Sequence, residues 1–274
     1  MYKEFGISEE IENLANIAEK DLKEEFYKID LACMKNSLNV LQAFQKNKIA
    51  EVHFNSTTGY GYDDIGRDTI EKVFADVLKA EETLVRTQFI SGTHAITVAL
   101  FACLRPGDTM LSICSKPYDT LDSIIGIQEN PSSLKSYQVG YEQIDLVDNN
   151  FDIPKIVERL SKKDVKLVEI QRSRGYALRK SLTIEKIEKV IKAIREVNQD
   201  VIIMVDNCYG EFVQEKEPIE CGADIIVRLT YKKFRRWIST KWSIYSRKER
   251  FSRTLCRKIN SSWTRKRSRT NTWD

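Results

Sequence analysis

From residue 83 onward, apolar runs of strand length alternate with stretches in which apolar residues recur every three to four positions. Residues 83–90, 109–114, 165–171, 201–205 and 223–227 read as strands; residues 93–104, 118–127 and 184–197 read as helices. Strands that alternate with helices predict a doubly wound, mostly parallel α/β sheet with helices on both faces. Before this region the pattern is different. Residues 1–50 carry helical periodicity, with Ser8, Glu9 and Glu10 at a helix start and Ile11, Leu14, Ile17 and Ala18 on one face. They predict an arm of helices ahead of a large domain over 51–227. A polar, glycine-bearing loop over 55–68 joins the two, followed by a helix through Ile70, Val73, Phe74 and Val77.

Ligands of doubly wound sheets bind at the carboxyl ends of the strands, so the loops after Ile90, Cys114, Gln171 and Val205 are the candidate site. Ser91-Gly92-Thr93 stands between a strand and an apolar helix, where free N–H groups and the positive helix end can cradle a phosphate. An ordinary helix cap explains the same residues equally well. Asp206 ends an apolar strand, where a carboxylate can pair with a protonated ring nitrogen or cap the next helix. Tyr118 comes after another strand and can stack on a flat ring or cover a helix turn.

Composition and charge modify this picture in two ways. The 274 residues suffice for one large α/β domain or two smaller ones, and the net charge of +4 hides two unlike parts. Residues 228–274 hold 16 Lys and Arg against 2 Asp and Glu, which leaves 28 against 38 for residues 1–227. Six cysteines without CxxC spacing and only two histidines, His53 and His94, give a zinc site little support. His94 reads as packed or capping. With no apolar run of transmembrane length and no signal-like start, a reduced cytoplasmic protein is the expectation.

The order of loops resembles the cysteine/methionine-metabolism group of fold-type-I pyridoxal-phosphate (PLP) enzymes, in particular the methionine gamma-lyase-like or aluminium-resistance branch. The residues that carry the resemblance are Gly59-Tyr60-Gly61-Tyr62-Asp63-Asp64-Ile65-Gly66-Arg67-Asp68, Gln88-Phe89-Ile90-Ser91-Gly92-Thr93-His94-Ala95, Pro117-Tyr118-Asp119-Thr120, Gln171-Arg172-Ser173-Arg174-Gly175-Tyr176 and Val205-Asp206-Asn207-Cys208-Tyr209-Gly210-Glu211-Phe212. The resemblance implies PLP as cofactor, its phosphate on Ser91, Gly92 and Thr93, Tyr118 against its ring and Asp206 on its ring nitrogen. It also implies a homodimer or homotetramer in which Tyr60, Tyr62 and Arg67 reach a neighbouring subunit's phosphate. Arg172 and Arg174 become candidates for substrate or cofactor anions. The implied activity is carbon–sulfur bond elimination on a small sulfur amino acid.

The family pattern breaks at residue 228. Where the family carries Gly-Ser-Leu-Ile-Lys-Asn and a glycine run, this chain reads Arg228-Leu229-Thr230-Tyr231-Lys232-Lys233-Phe234. Lys232 stands at the register of the family lysine that links covalently to the cofactor. From 228 onward there is no Gly, Pro or Ala, and all four tryptophans of the chain lie there. Tryptophan has the single codon TGG, so reading one base later forces glycine at positions 237, 242, 263 and 273. With permitted codons, residues 228–237 can be reread as the family motif in register. These features predict a one-base frame slip near codon 227, a missing C-terminal small domain and impaired activity for the chain as written. The rival reading is a nucleic-acid-binding protein whose basic, aromatic tail contacts phosphates and stacks on bases. It ranks second, because the tail contains no recognisable binding module, and no GxGxxG follows the first strand to suggest a nucleotide-binding Rossmann protein.

Overall fold

The computed structural model describes residues 2–56, 64–86, 88–229 and 242–246. Tyr60, Tyr62 and Lys232 lie outside the described residues. The N-terminal region is one helix, α1 (Glu9–Lys46), rather than several; the Ser8 hydroxyl caps it by accepting from Ile11 N–H. Its apolar positions remain largely exposed, and Ala43 alone is buried within it. The next helix, α2 (Ile65–Leu78), is capped by Asp64 and ends at Lys79 in the left-handed conformation.

Among the described residues, seven strands form one sheet. They are β1 (Glu82–Arg86), β2 (Thr109–Ser112), β3 (Gly140–Gln143), β4 (Val165–Gln171), β5 (Ile202–Asp206), β6 (Ile225–Leu229) and β7 (Trp242–Ser246). Their order is β1-β7-β6-β5-β4-β2-β3. Pairing is parallel from β3 through β6, while β7 runs antiparallel to both β6 and β1. The remaining helices are α3 (Gly92–Cys103), α4 (Asp122–Ile125), α5 (Ile153–Leu160) and α6 (Ile184–Val197).

Side-chain alternation along each strand divides the core. Met110, Leu167, Met204, Ile225 and Val227 face the helix α3, whose Ala95, Ala99 and Leu100 pack on them. Leu111, Val168, Ile170, Ile203 and Val205 face the other way, against α5 and α6. Both faces are apolar because a parallel sheet is covered on both sides. The α6 helix shows how sequence dictates this: Ile184, Ile187, Ile191 and Ile194 fall on one stripe, and all are buried.

Two further expectations change. Residues 118–127 do not form one helix; a 3-10 turn over Asp119–Leu121 leads into the single turn of α4, which Gly126 stops at φ +97°. The strand expected over 83–90 ends at Arg86, which frees the chain to turn toward α3. Among the described residues, no helix is long and apolar enough to cross a membrane.

Candidate active site at the carboxyl edge of the sheet

The strands β1, β2, β4, β5 and β6 all deliver their carboxyl ends to one edge, where Ser91, Gly92, Thr93, Tyr118, Arg172, Arg174 and Asp206 stand on the segments that follow or end these strands. The Ser91 hydroxyl caps α3 by accepting from His94 N–H at 3.0 Å, and His94 Nδ1 in turn accepts from Ile90 N–H at 3.4 Å. The capping reading of Ser91 and His94 is therefore correct. It does not consume the cradle: Gly92 N–H and Thr93 N–H stand in the first helical turn, where no intrahelical acceptor exists. Both point with the positive end of the helix dipole, and the Ser91 hydroxyl retains its own proton to donate.

The Thr93 hydroxyl lies 2.8 Å from that of Thr120, which ties the α3 cap to the segment bearing Tyr118. The Tyr118 ring stacks on Tyr176 with centroids 5.5 Å apart and planes 27° apart. The nearby Tyr176 hydroxyl, and after it burial and the charges of Tyr176, Asp119 and Tyr209, push the Tyr118 phenol up to about 12. The β4–α6 loop reaches the ring because Gly175 sits at φ +57°, where a Cβ would stand 3.1 Å from Tyr118 Cδ2 and 3.3 Å from Gln171 Nε2. Gly175→Ala is expected to cost about 1–2 kcal/mol through left-handed strain and to displace the Tyr118 ring. Urea unfolding and near-ultraviolet circular dichroism of the tyrosine pair check this; an unchanged tyrosine signal contradicts it.

Asp206 is the last residue of β5 and pairs in register with Gln171 of β4 and Val227 of β6. It is 5% exposed, and its Oδ1 accepts from Cys208 N–H at 3.0 Å. No helix comes next, so helix capping is excluded; the segment after β5 is a run of turns. Burial raises the Asp206 carboxyl, while the contacts with Cys208 act the other way. A buried acid whose surroundings are short of positive charge is suited to a ligand that brings a cation.

Arg172 has a different task from the anion recognition its position suggested. It is buried, and its guanidinium donates to Asn207 Oδ1, Gly210 O, Leu182 O and Gln214 Oε1. Asn207 also donates to Glu217, so this network fixes the turn that succeeds Asp206. A Cβ at Gly210 would lie 2.6 Å from Arg172 Cδ, which is why glycine stands there. Arg174 is exposed on the loop between β4 and α6, and Arg67 lies near the start of α2 with its Nε 3.1 Å from Asp68.

Three residues of this edge were not selected from the sequence. Tyr176 partners Tyr118; Arg179 donates to the carbonyls of Gln171 and Ser173, at 2.9 and 2.6 Å; Glu169 is buried two residues before Gln171. Tyr176 stood in the Gln171–Tyr176 motif without an assigned role, and Glu169 showed as a carboxylate in the apolar stretch Leu167-Val168-Glu169-Ile170.

The comparisons with known proteins agree with this geometry. The methionine gamma-lyase family matches residues 11–235. The chain belongs to this family. A candidate cystathionine beta-lyase involved in aluminium resistance from Clostridium acetobutylicum is 45% identical, with a TM-score of 0.88, over 95% of this chain and 63% of its own. The protein YnbB of Bacillus subtilis is 45% identical over 82% of this chain and 54% of its own length. This chain therefore spans less than two thirds of the length of these relatives. The pyridoxal-5'-phosphate dependent protein YhfS from Escherichia coli, 18% identical with a TM-score of 0.64 over 83% of this chain and 58% of its own, shares the fold alone. The fold is thus that of the fold-type-I PLP enzymes.

Proposed function

We propose that this edge holds PLP and that the intact protein is a carbon–sulfur lyase acting on a small sulfur amino acid. The observation that carries the reading is Asp206: a buried carboxylate ending a central strand beside a helix N-terminus, on a sheet shared with PLP-dependent proteins. The residues fit the group. Gly92 and Thr93 N–H with the Ser91 hydroxyl would take its phosphate, and Asp206 would keep its ring nitrogen protonated. Tyr118, braced from one side by Tyr176, would cover the ring.

Bound there, PLP would supply an electron sink for chemistry at the substrate's Cα, which is what loss of a sulfur group from Cβ or Cγ requires. The part of this chain is to hold Asp206 ionised in a dry setting, to fix the ring plane through Tyr118 and to present the α3 terminus to the phosphate. Arg174, Tyr60, Tyr62 and Arg67 are proposed as further anion contacts, the last three toward a neighbouring subunit. Lys232 is proposed as the covalent partner of the cofactor.

The test is the visible absorption spectrum of the purified full chain with PLP, before and after borohydride, with mass spectrometry to locate any fixed group. Reduction onto Lys232 supports the reading; binding with no specific adduct removes Lys232 from it, and absence of binding removes the cofactor. We infer also that a one-base slip underlies residues 228–274, supported by the four forced glycines. Sequencing the gene decides this, since a reading frame without the hidden motif contradicts it.

A further inference from the structure

We propose that Glu169 is a positioning residue held as the neutral acid, which donates its proton to Ser112 and leaves Asp206 as the single negative charge beneath the ring-nitrogen site. Glu169 and Ser112 are register partners in β4 and β2, so their side chains leave the sheet on the same face. Gln171 lies on that face two residues on, beside its own partner Asp206. This is the face covered by α3, toward which the site opens.

Proton counting gives the argument. Ser112 Oγ lies 2.8 Å from Ser115 O and 2.8 Å from Glu169 Oε2. A hydroxyl has one proton to donate, and a carbonyl oxygen can only accept. If Ser112 donates to Ser115 O, the short contact with Glu169 requires the proton to sit on the carboxyl, which then donates to Ser112 Oγ. The other carboxyl oxygen, Oε1, is buried with no hydrogen-bond partner, and Glu169 is 1% exposed. A neutral acid tolerates that position at modest cost, whereas an anion does not.

Asp206 on β5 opposes ionisation of Glu169, whereas a Ser112 hydroxyl turned toward the carboxylate, and Arg179 on the loop after β4, would favour it. Tyr141 on β3 and Cys114 after β2 also face this group; burial first, and then Glu169, raises both. Among the described residues, α3 turns Ala95, Ala99 and other apolar side chains to this face. Burial, the largest cause, pushes the carboxyl up to about 8 from an ordinary 4.5. Its consequence for the site rests on the PLP reading above: a second anion next to Asp206 would tighten the hold on the ring proton, and the neutral acid avoids this.

The experiment uses the full chain without added ligand and then with PLP. In infrared difference spectra, the protein at about pH 6 should show a protonated-carboxyl C=O band that Glu169→Gln lacks and that disappears with a midpoint near 8. Stability is linked in sign: the folded pKa is raised, so the contribution is full below about 4.5 and is lost as pH rises through about 8. The melting temperature of Glu169→Gln should therefore gain on that of the unmodified chain across that window, then run level. With PLP bound, the cofactor absorbance should show a pH inflection in the unmodified chain that Glu169→Gln lacks. A Glu169 carboxylate already present at pH 6 overturns the assignment. In Ser112→Ala, the second variant, which removes the acceptor of the proton, the midpoint should fall; a midpoint that stays or rises overturns the assignment, because it shows the hydroxyl donating to the carboxylate. Failure to bind PLP with the band intact would sink the cofactor reading and leave the proton on Glu169.

Discussion

Asp206→Asn is expected to weaken PLP binding by about a hundred- to several-thousandfold. Removing one partner of a buried charge pair costs about 3–5 kcal/mol, and each ~1.4 kcal/mol is a factor of ten in affinity. Asparagine keeps the volume and keeps an oxygen for Cys208 N–H, so the turn after β5 survives the change. The change removes the negative charge that holds the ring nitrogen protonated. The fold should not suffer, because a buried carboxyl raised by its surroundings is replaced by a neutral group of the same shape. The measurement is a fluorescence or absorbance titration of the full chain with PLP, alongside its thermal melt. An unchanged titration curve at an unchanged melting temperature would take Asp206 out of the cofactor site.

The largest effect on stability is expected at Glu71. Its carboxylate lies on α2, is 4% exposed, and accepts from Val85 N–H at 2.9 Å and from Arg86 Nη1. Arg86 is equally enclosed, at 6%, and ends β1 just before the chain turns toward Ser91. The pair therefore docks α2 onto β1. Glu71→Ala strands a buried guanidinium and an N–H of the strand, at a cost of about 3–5 kcal/mol. That is a large part of the ~5–15 kcal/mol that holds most domains together. Urea unfolding should show the midpoint falling with little change in slope. The double replacement Glu71→Leu with Arg86→Met, which removes both charges, should recover most of the loss, because the penalty belongs to the unpaired ion rather than to the missing bond. A single variant as stable as the unmodified chain would show that water reaches Arg86.

Much of the fold was legible because the signal was local. In α6 a stripe of isoleucines at helical spacing coincides with the observed Ile184–Val197, and the apolar run of β4 coincides with Val165–Gln171. Less regular segments were not legible. The edge strand β3 reads Gly-Tyr-Glu-Gln, with no alternation to betray it. In α5 a short helix over Ile153–Leu160, opened by Asp152 and Pro154, was passed over within a polar stretch. The strand β7 lies in the basic segment read as aberrant, yet it pairs between β1 and β6.

The sequence by itself determined the doubly wound sheet, the loops at its carboxyl edge and the candidates Ser91, Gly92, Thr93, Tyr118 and Asp206. These depend on periodicity and on position relative to strand ends, which a one-dimensional pattern records. Only the tertiary structure decided that Arg172 braces the turn after Asp206, that Tyr176 backs Tyr118, and that Glu169 lies buried with a single hydroxyl in reach. The role of a charged or aromatic side chain depends on what other strands and loops place beside it. An arginine that finds carbonyls braces a turn, and the charge a carboxyl carries follows from what its neighbours bring to it.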